Sequence, residues 1–250
     1  MALDRAIGVV CIALAAAAGS VALVAGASSP PPAISVDRAF DHDLGPTDDP
    51  ETTAAFLDYY ERAERGAWAL DAAWERRRGD EVTLGSEWRQ VQDGTGNQLI
   101  AALGSLVGTY DGRIIACGPI ENQAELCEAG VAPDPLRTFE QSADIAAEAT
   151  IPNSGSYTVA RAPDRTMLDE DTECFVVRVR PGHVSRAFGS ESTYCYSDDA
   201  IPLLVVRHQG GAVDNRTATA YSLDVDDSDF DELLAVWADA LLQRDLRSSP

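Results

Sequence analysis

The stretch Cys174-Phe175-Val176-Val177-Arg178, answered by Glu191-Ser192-Thr193-Tyr194-Cys195-Tyr196, decides the fold. If Cys174 stands opposite Cys195 in an antiparallel hairpin, Val176 falls opposite Thr193 and Arg178 opposite Glu191. That register sets an opposite-charge pair on the face that carries a disulfide. It sets Phe175, Val177 and Val179 with Tyr194 and Tyr196 on the other, apolar face. A cysteine pair and a charge pair thus select the same register.

The same period of two spreads outward from this hairpin. Downstream, Asp198-Asp199 turns the chain into a strand from Ile201 to His208, and Gly210-Gly211 turns it into another from Arg216 to Asp224. Upstream, Trp68, Leu70, Ala72 and Trp74 alternate with Ala69, Asp71, Ala73 and Glu75. After a turn at Gly79-Asp80, Val82, Leu84, Ser86 and Trp88 alternate again. This is the mark of a half-buried antiparallel hairpin, although the alanines of its first strand leave a continued helix as a competitor. Gln98 to Leu103, Leu106 to Tyr110 and Arg113 to Cys117 are further short strands, the last two joined at Asp111-Gly112.

Helical spacing flanks the strands. Pro50 to Arg65 places Phe56, Leu57, Tyr60 and Ala63 on one face, with Thr47 or Asp48 expected as the cap and Gly66 as the stop. A second helix is expected over 135–149, and a third from Asp229 to Leu246, striped by Phe230, Leu233, Leu234, Trp237, Leu241 and Leu242. The acidic run from Asp224 to Glu232 lacks the glycine and the glutamate that a calcium loop requires, so it reads as the negative start of that helix.

Ala6 to Ala27 is an uncharged run that would span roughly 33 Å as a helix, enough to cross a bilayer. It reads either as a single membrane anchor or as a signal peptide cut near Ala27. Residues 1–27 then form the targeting segment, 28–50 a Pro/Asp-rich linker, and 51–250 an extracytoplasmic domain. The expected location is the cell membrane, single-pass with the domain outside; cleavage would make it secreted or periplasmic. Outside this segment four cysteines remain: Cys117, Cys127, Cys174 and Cys195. An even count in an exported chain implies two disulfides, and proximity in sequence favours Cys117–Cys127 and Cys174–Cys195.

The chain of 250 residues carries 41 Asp+Glu against 19 Lys+Arg, a formal net charge of -22. All the basic residues are arginine. Such a surface repels phosphate backbones, which excludes nucleic-acid binding and leaves the N-terminal helix as the membrane contact. His42, His183 and His208 have no metal-ligand spacing, and no Gly-x-Ser-x-Gly elbow presents a nucleophile. No catalytic residue, metal ligand or cofactor site is expected.

One phrase adds a resemblance: Cys174-Phe175-Val176-Val177, then Tyr194-Cys195-Tyr196-Ser197-Asp198-Asp199-Ala200-Ile201-Pro202-Leu203. With Phe56-Leu57 ahead of Gly66-Ala67-Trp68-Ala69, and Asp111-Gly112-Arg113 ahead of Cys117, it resembles exported actinobacterial proteins similar to the LolA/LppX/RseB group of lipoprotein carriers and sensors. The resemblance runs from Pro50 to Phe230. It departs where Ala200 stands in place of a turn glycine and where a helix follows Phe230. It implies an α+β fold: a curved antiparallel half-barrel packed with two or three helices, whose apolar side holds an acyl chain or a partner protein. No ligand or catalytic residue carries over.

The expected function is therefore non-enzymatic: an envelope domain binding a lipid, another apolar ligand or an envelope protein. Trp68, Trp74, Trp88, Phe175, Tyr194 and Tyr196 are the expected apolar face. A hydrolase using surface carboxylates and a sensory or structural ectodomain are the alternatives.

Overall fold

The computed structural model describes residues 49–120, 123–131, 157–183 and 188–238, all within one unit spanning Ser35–Pro250. The N-terminal apolar run, the linker, the helix expected over 135–149 and the end of the terminal helix lie outside the described residues.

Helix α1 runs Pro50–Arg65. Its cap is Asp49, one or two residues later than expected, because Pro50 takes the first helical position and the capping carboxylate must directly precede it. The Asp49 carboxylate accepts from the Thr52 backbone N–H and hydroxyl, both at 2.8 Å. Arg62 and Arg65 stand in the last turn, where the helix dipole favours a cation.

Eleven strands follow: β1 Ala67–Arg78, β2 Glu81–Asp93, β3 Gln98–Ala102, β4 Ser105–Tyr110, β5 Arg113–Ile120, β6 Gln123–Val131, β7 Tyr157–Met167, β8 Glu170–Val179, β9 Glu191–Tyr196, β10 Pro202–Gln209 and β11 Ala212–Ser222. The competitor helix at Ala67–Arg78 gives way to a strand, since Trp68, Leu70 and Ala72 reach the core only with a period of two. All eleven form one curved antiparallel sheet in the order β6-β5-β4-β3-β2-β1-β11-β10-β9-β8-β7. Two meanders thus spread in opposite directions from the central β1–β11 pair. Each local hairpin is set by its turn, and the central pair joins the two halves of the chain. Bulges in the β1–β11, β9–β10 and β7–β8 pairings bend the strands locally.

The deciding hairpin has the register read from its sequence: Cys174 opposite Cys195, Val176 opposite Thr193, Arg178 opposite Glu191. Arg178 Nε donates to the Glu191 carboxylate. The sulfurs of Cys174 and Cys195 are 2.04 Å apart, and those of Cys117 and Cys127 are 2.05 Å apart across β5 and β6.

One close approach requires glycine. Gly108 has φ of +152°, and a Cβ there would stand 1.9 Å from the Gln98 carbonyl oxygen on β3. At the departure noted above, Ala200 does take the left-handed backbone that glycine would favour, at φ 64°. Its methyl is fully buried, and its N–H donates to the Ser197 carbonyl at 2.9 Å.

Helix α2 runs Asp227–Ala235, starting two residues before the expected Asp229 because Asp226 takes the capping position. The acidic junction is its N-terminus: Asp226 caps Ser228, and Asp229 reaches back to the Asp226 backbone N–H. α2 lays Phe230 and Leu233, and the turn after it lays Trp237, on Ala69, Val91, Leu99, Leu106 and the Cys117–Cys127 bridge. α1 packs Phe56 and Ala63 on Tyr157, Val159, Phe175, Val177, Tyr194 and Tyr196. The register assigns these two sets of strand residues to opposite faces. A third cluster gathers Val176, Ile201, Leu203, Leu204 and Val206 around Cys174–Cys195.

Candidate functional site

The α1 face is built in rows by the strand register. One row crosses the sheet as Ser86 (β2), Trp74 (β1), Arg216 (β11), Val205 (β10), Tyr194 (β9), Phe175 (β8) and Arg161 (β7). The next runs Arg76, Asp214, Arg207, Ser192, Val177 and Val159. Directly opposed residues of an antiparallel pair share a face, so each row is one line of side chains pointing the same way.

Under α1 this face is closed by aromatic packing. Phe56 has no exposed surface, and its ring lies 5.7 Å from Phe175, 6.0 Å from Phe188 and 5.6 Å from Tyr194. Tyr59 stacks on Tyr196 at 5.4 Å, and Tyr194 stacks on Tyr196 at 6.0 Å. Burial pushes the Tyr196 hydroxyl well above the ordinary phenol range. That half is a filled core.

At the end of α1 the face turns polar. Gln92, almost completely buried, donates to the carbonyls of Ala63 at 2.8 Å and Gly66 at 2.7 Å, and Trp68 Nε1 donates to Ala63 at 2.9 Å. These bonds satisfy helix-end carbonyls that have no partner within α1. The Gln92 oxygen accepts from Gln90 at 3.2 Å and Gln98 at 3.0 Å. Arg216 in turn donates from Nη1 to Gln90 at 3.2 Å, and its guanidinium lies 5.3 Å from the Trp88 ring.

Arg207 donates from Nη2 to the Tyr194 hydroxyl at 3.2 Å. Asp214, opposite Arg207, is already held by Arg76 through two bonds of 2.6 and 2.8 Å. Nε of Arg207, Nε of Arg216 and Nε1 of Trp88 are buried atoms with no hydrogen-bond partner among the described residues. Burial pulls the Arg216 guanidinium down to about 10, and burial also raises the Glu64 carboxyl above its ordinary range. The Tyr194 hydroxyl is the first cause holding Arg207 above its ordinary value.

Beyond this seam the face carries an apolar shelf, with Ser86 and Ser105 at its edge. Trp74, Trp88, Ile100 and Val107 are half-buried, with Ala102 buried between them. The six residues expected from the sequence as an apolar face therefore fall on one side of the sheet in three settings. Phe175, Tyr194 and Tyr196 are sealed by α1, Trp68 is sealed at its end, and Trp74 and Trp88 line the shelf. Sequence reasoning missed Arg207 and Arg216. Their only signal was a charged residue at a position whose strand neighbours two places away, such as Val205 and Ala218, belong to the core side.

Among the described residues no group of three His, Cys, Asp or Glu is arranged to hold a metal ion. No described helix is long and apolar enough to cross a membrane.

No family model matches the chain, and no curated protein matches it by sequence. Solved structures similar to it include the MucA/MucB complex of Pseudomonas aeruginosa, at 14% identity and a TM-score of 0.44. That match covers 70% of this chain and 61% of the other, so the chain spans about three fifths of the protein it matches. The lipoprotein LppX of Mycobacterium tuberculosis is similar at 7% identity and a TM-score of 0.40, covering 71% of this chain and 99% of that one. LprF of Mycobacterium bovis is similar at 12% identity and a TM-score of 0.41, over 71% and 96% of the two chains. LppX, one of the proteins named in the resemblance read from the sequence, is among these similar structures.

Proposed function

We propose that the chain is an extracytoplasmic binding protein that takes up an apolar or amphiphilic ligand on the α1 face of its sheet. The observation that carries this reading is the division of that face. Its C-terminal half is filled by α1, while the N-terminal half leaves Trp74, Trp88, Ile100 and Val107 half-covered in one continuous row of strands. An apolar shelf of this kind with tryptophans at its inner edge suits a hydrocarbon chain, whose transfer from water yields roughly 25 cal/mol per Å² buried. Two disulfides favour an oxidising compartment outside the cytoplasm. The test is mass spectrometry of the purified full chain under native and denaturing conditions. A copurified amphiphile released on unfolding supports the reading. Failure to retain or take up any alkyl ligand when challenged with dodecanol and dodecyl phosphate would remove it.

A further inference from the structure

The net charge makes the middle of the α1 face unusual. On a chain of charge -22, three arginines (Arg76, Arg207 and Arg216) line adjacent positions of three neighbouring strands. Arg76 is committed to Asp214 through its bidentate bond. Arg207 lies diagonally across from Arg216, a spacing of about 7–8 Å between backbones in an antiparallel pair. Their only side-chain hydrogen bonds among the described residues are to neutral groups, Tyr194 and Gln90. Glu64 is the acidic group of α1 that acts on Arg216, and it makes no ion pair within 4 Å among the described residues. Three donors, Nε of Arg207, Nε of Arg216 and Nε1 of Trp88, are buried without an acceptor among the described residues. A buried donor without a partner costs on the order of 1–3 kcal/mol, and a buried charge whose nearest counter-charges stand off without an ion pair is incompletely offset. An acceptor-rich anion at this position would satisfy both needs, and guanidinium pairs bind planar or tetrahedral oxyanions particularly well.

We propose that Arg207 and Arg216 form a head-group subsite that takes the oxyanion, phosphate or carboxylate, of an amphiphile whose alkyl chain lies on the Trp74–Trp88–Ile100–Val107 shelf. The subsite rests on the binding reading above and names its ligand class. Trp88 joins the two parts: its ring faces Arg216 on one side and continues the shelf on the other. The head is fixed by charge at the seam beside the end of α1, and the tail points away from the filled core toward β3 and β4.

The test uses the full chain and three probes in tryptophan fluorescence and calorimetric titrations: dodecyl phosphate, dodecanol and inorganic phosphate. Dodecyl phosphate is expected to bind at least tenfold tighter than dodecanol, and inorganic phosphate more weakly than dodecyl phosphate. In Arg216→Gln and in Arg207→Gln the tenfold ratio between the two alkyl probes should collapse toward one; Arg216→Lys should recover part of it. Equal binding of both alkyl probes by the unmodified chain overturns the subsite and leaves the apolar reading standing. Inorganic phosphate binding as tightly as dodecyl phosphate supports the arginine pair but removes the shelf. No binding of any probe removes both. Should Arg216→Gln fail to fold, Arg207→Gln and the comparison within the unmodified chain decide the matter. An undiminished ratio in a folded Arg207→Gln overturns the assignment of that residue.

Discussion

Phe56→Ala probes how α1 is held to the sheet. The ring has no exposed surface and sits within 5.6–6.0 Å of Tyr60, Phe175, Phe188 and Tyr194. Removing a buried phenyl from such a site costs about 3–5 kcal/mol, at the upper end where the surroundings cannot collapse. Here Phe175 and Tyr194 are fixed by strand register, Tyr60 by the helix, and Phe188 is wedged before β9 against Tyr60, Tyr157 and Tyr194, so collapse is restricted and about 4 kcal/mol is expected. Domains of this kind hold only about 5–15 kcal/mol in total, so the variant stays folded with its unfolding midpoint moved far down. Guanidinium unfolding followed by far-ultraviolet circular dichroism and by tryptophan fluorescence measures the loss. Hydrogen exchange on the α1 amides shows whether the helix leaves first, as a helix of 16 residues is marginal alone. Phe56→Leu should recover part of the loss. A Phe56→Ala variant that loses less than about 1 kcal/mol would refute the reasoning, because α1 would then not be anchored by this cluster.

Three further outcomes are expected. Gln92→Leu should destabilise the domain by about 2 kcal/mol in guanidinium melts, since carbonyls at the end of α1 lose their buried donor while the side-chain volume is kept; an unchanged midpoint would contradict this. Asp49 and Asp226 are both held below the ordinary carboxylate range, first by the hydroxyls of Thr52 and Ser228 and then by the backbone N–H groups of the same residues. A depressed folded value means their stabilisation is present above the unfolded pKa of 3.8 and is lost as pH falls through the lower folded value, so Asp49→Ala with Asp226→Ala should flatten the fall in stability below about pH 4; an unaltered pH profile would count against both caps. Finally, thiol titration of the unfolded, unreduced chain should detect no more than one of the five cysteines, rising to five after reduction, and Cys174→Ala with Cys195→Ala should cost about 3 kcal/mol through the freed loop. Four or five thiols without reductant would refute the bridges.

How far the fold could be read depended on where alternation was unbroken. The β8–β9 hairpin was legible to the residue because cysteine, charge and aromatic patterns agree there. β7 was not, since Pro163 and Asp164 fall at the irregularity between Ala162 and Arg165, which breaks the period of two just where it would be recognised. β6 was missed for another reason: Gln123-Ala124-Glu125-Leu126 and Glu128-Ala129 are helix-forming residue types, and pairing with β5 overrides that local preference. The apolar members of the candidate site were visible as tryptophans and tyrosines on one strand parity. Arg207 and Arg216 were not, because their meeting depends on a register set by the Gly210-Gly211 turn. That turn makes β11 begin at Ala212, so Arg216, expected at a strand start, lies in mid-strand opposite Val205. The order β1–β11, which brings Trp74 against Arg216, joins residues too far apart in the chain for any local pattern to announce.

The most direct test of ligand binding on the α1 face is contact quenching of tryptophan by a dodecyl chain brominated near its end. The chain has four tryptophans, of which Trp68 and Trp237 are sealed in cores while Trp74 and Trp88 stand half-buried on the shelf. Saturable quenching is expected in the unmodified full chain, and it should be lost in Trp74→Phe with Trp88→Phe while Trp68 and Trp237 still emit. No saturable quenching, or quenching that persists in the double variant, would place the alkyl chain elsewhere and contradict the account.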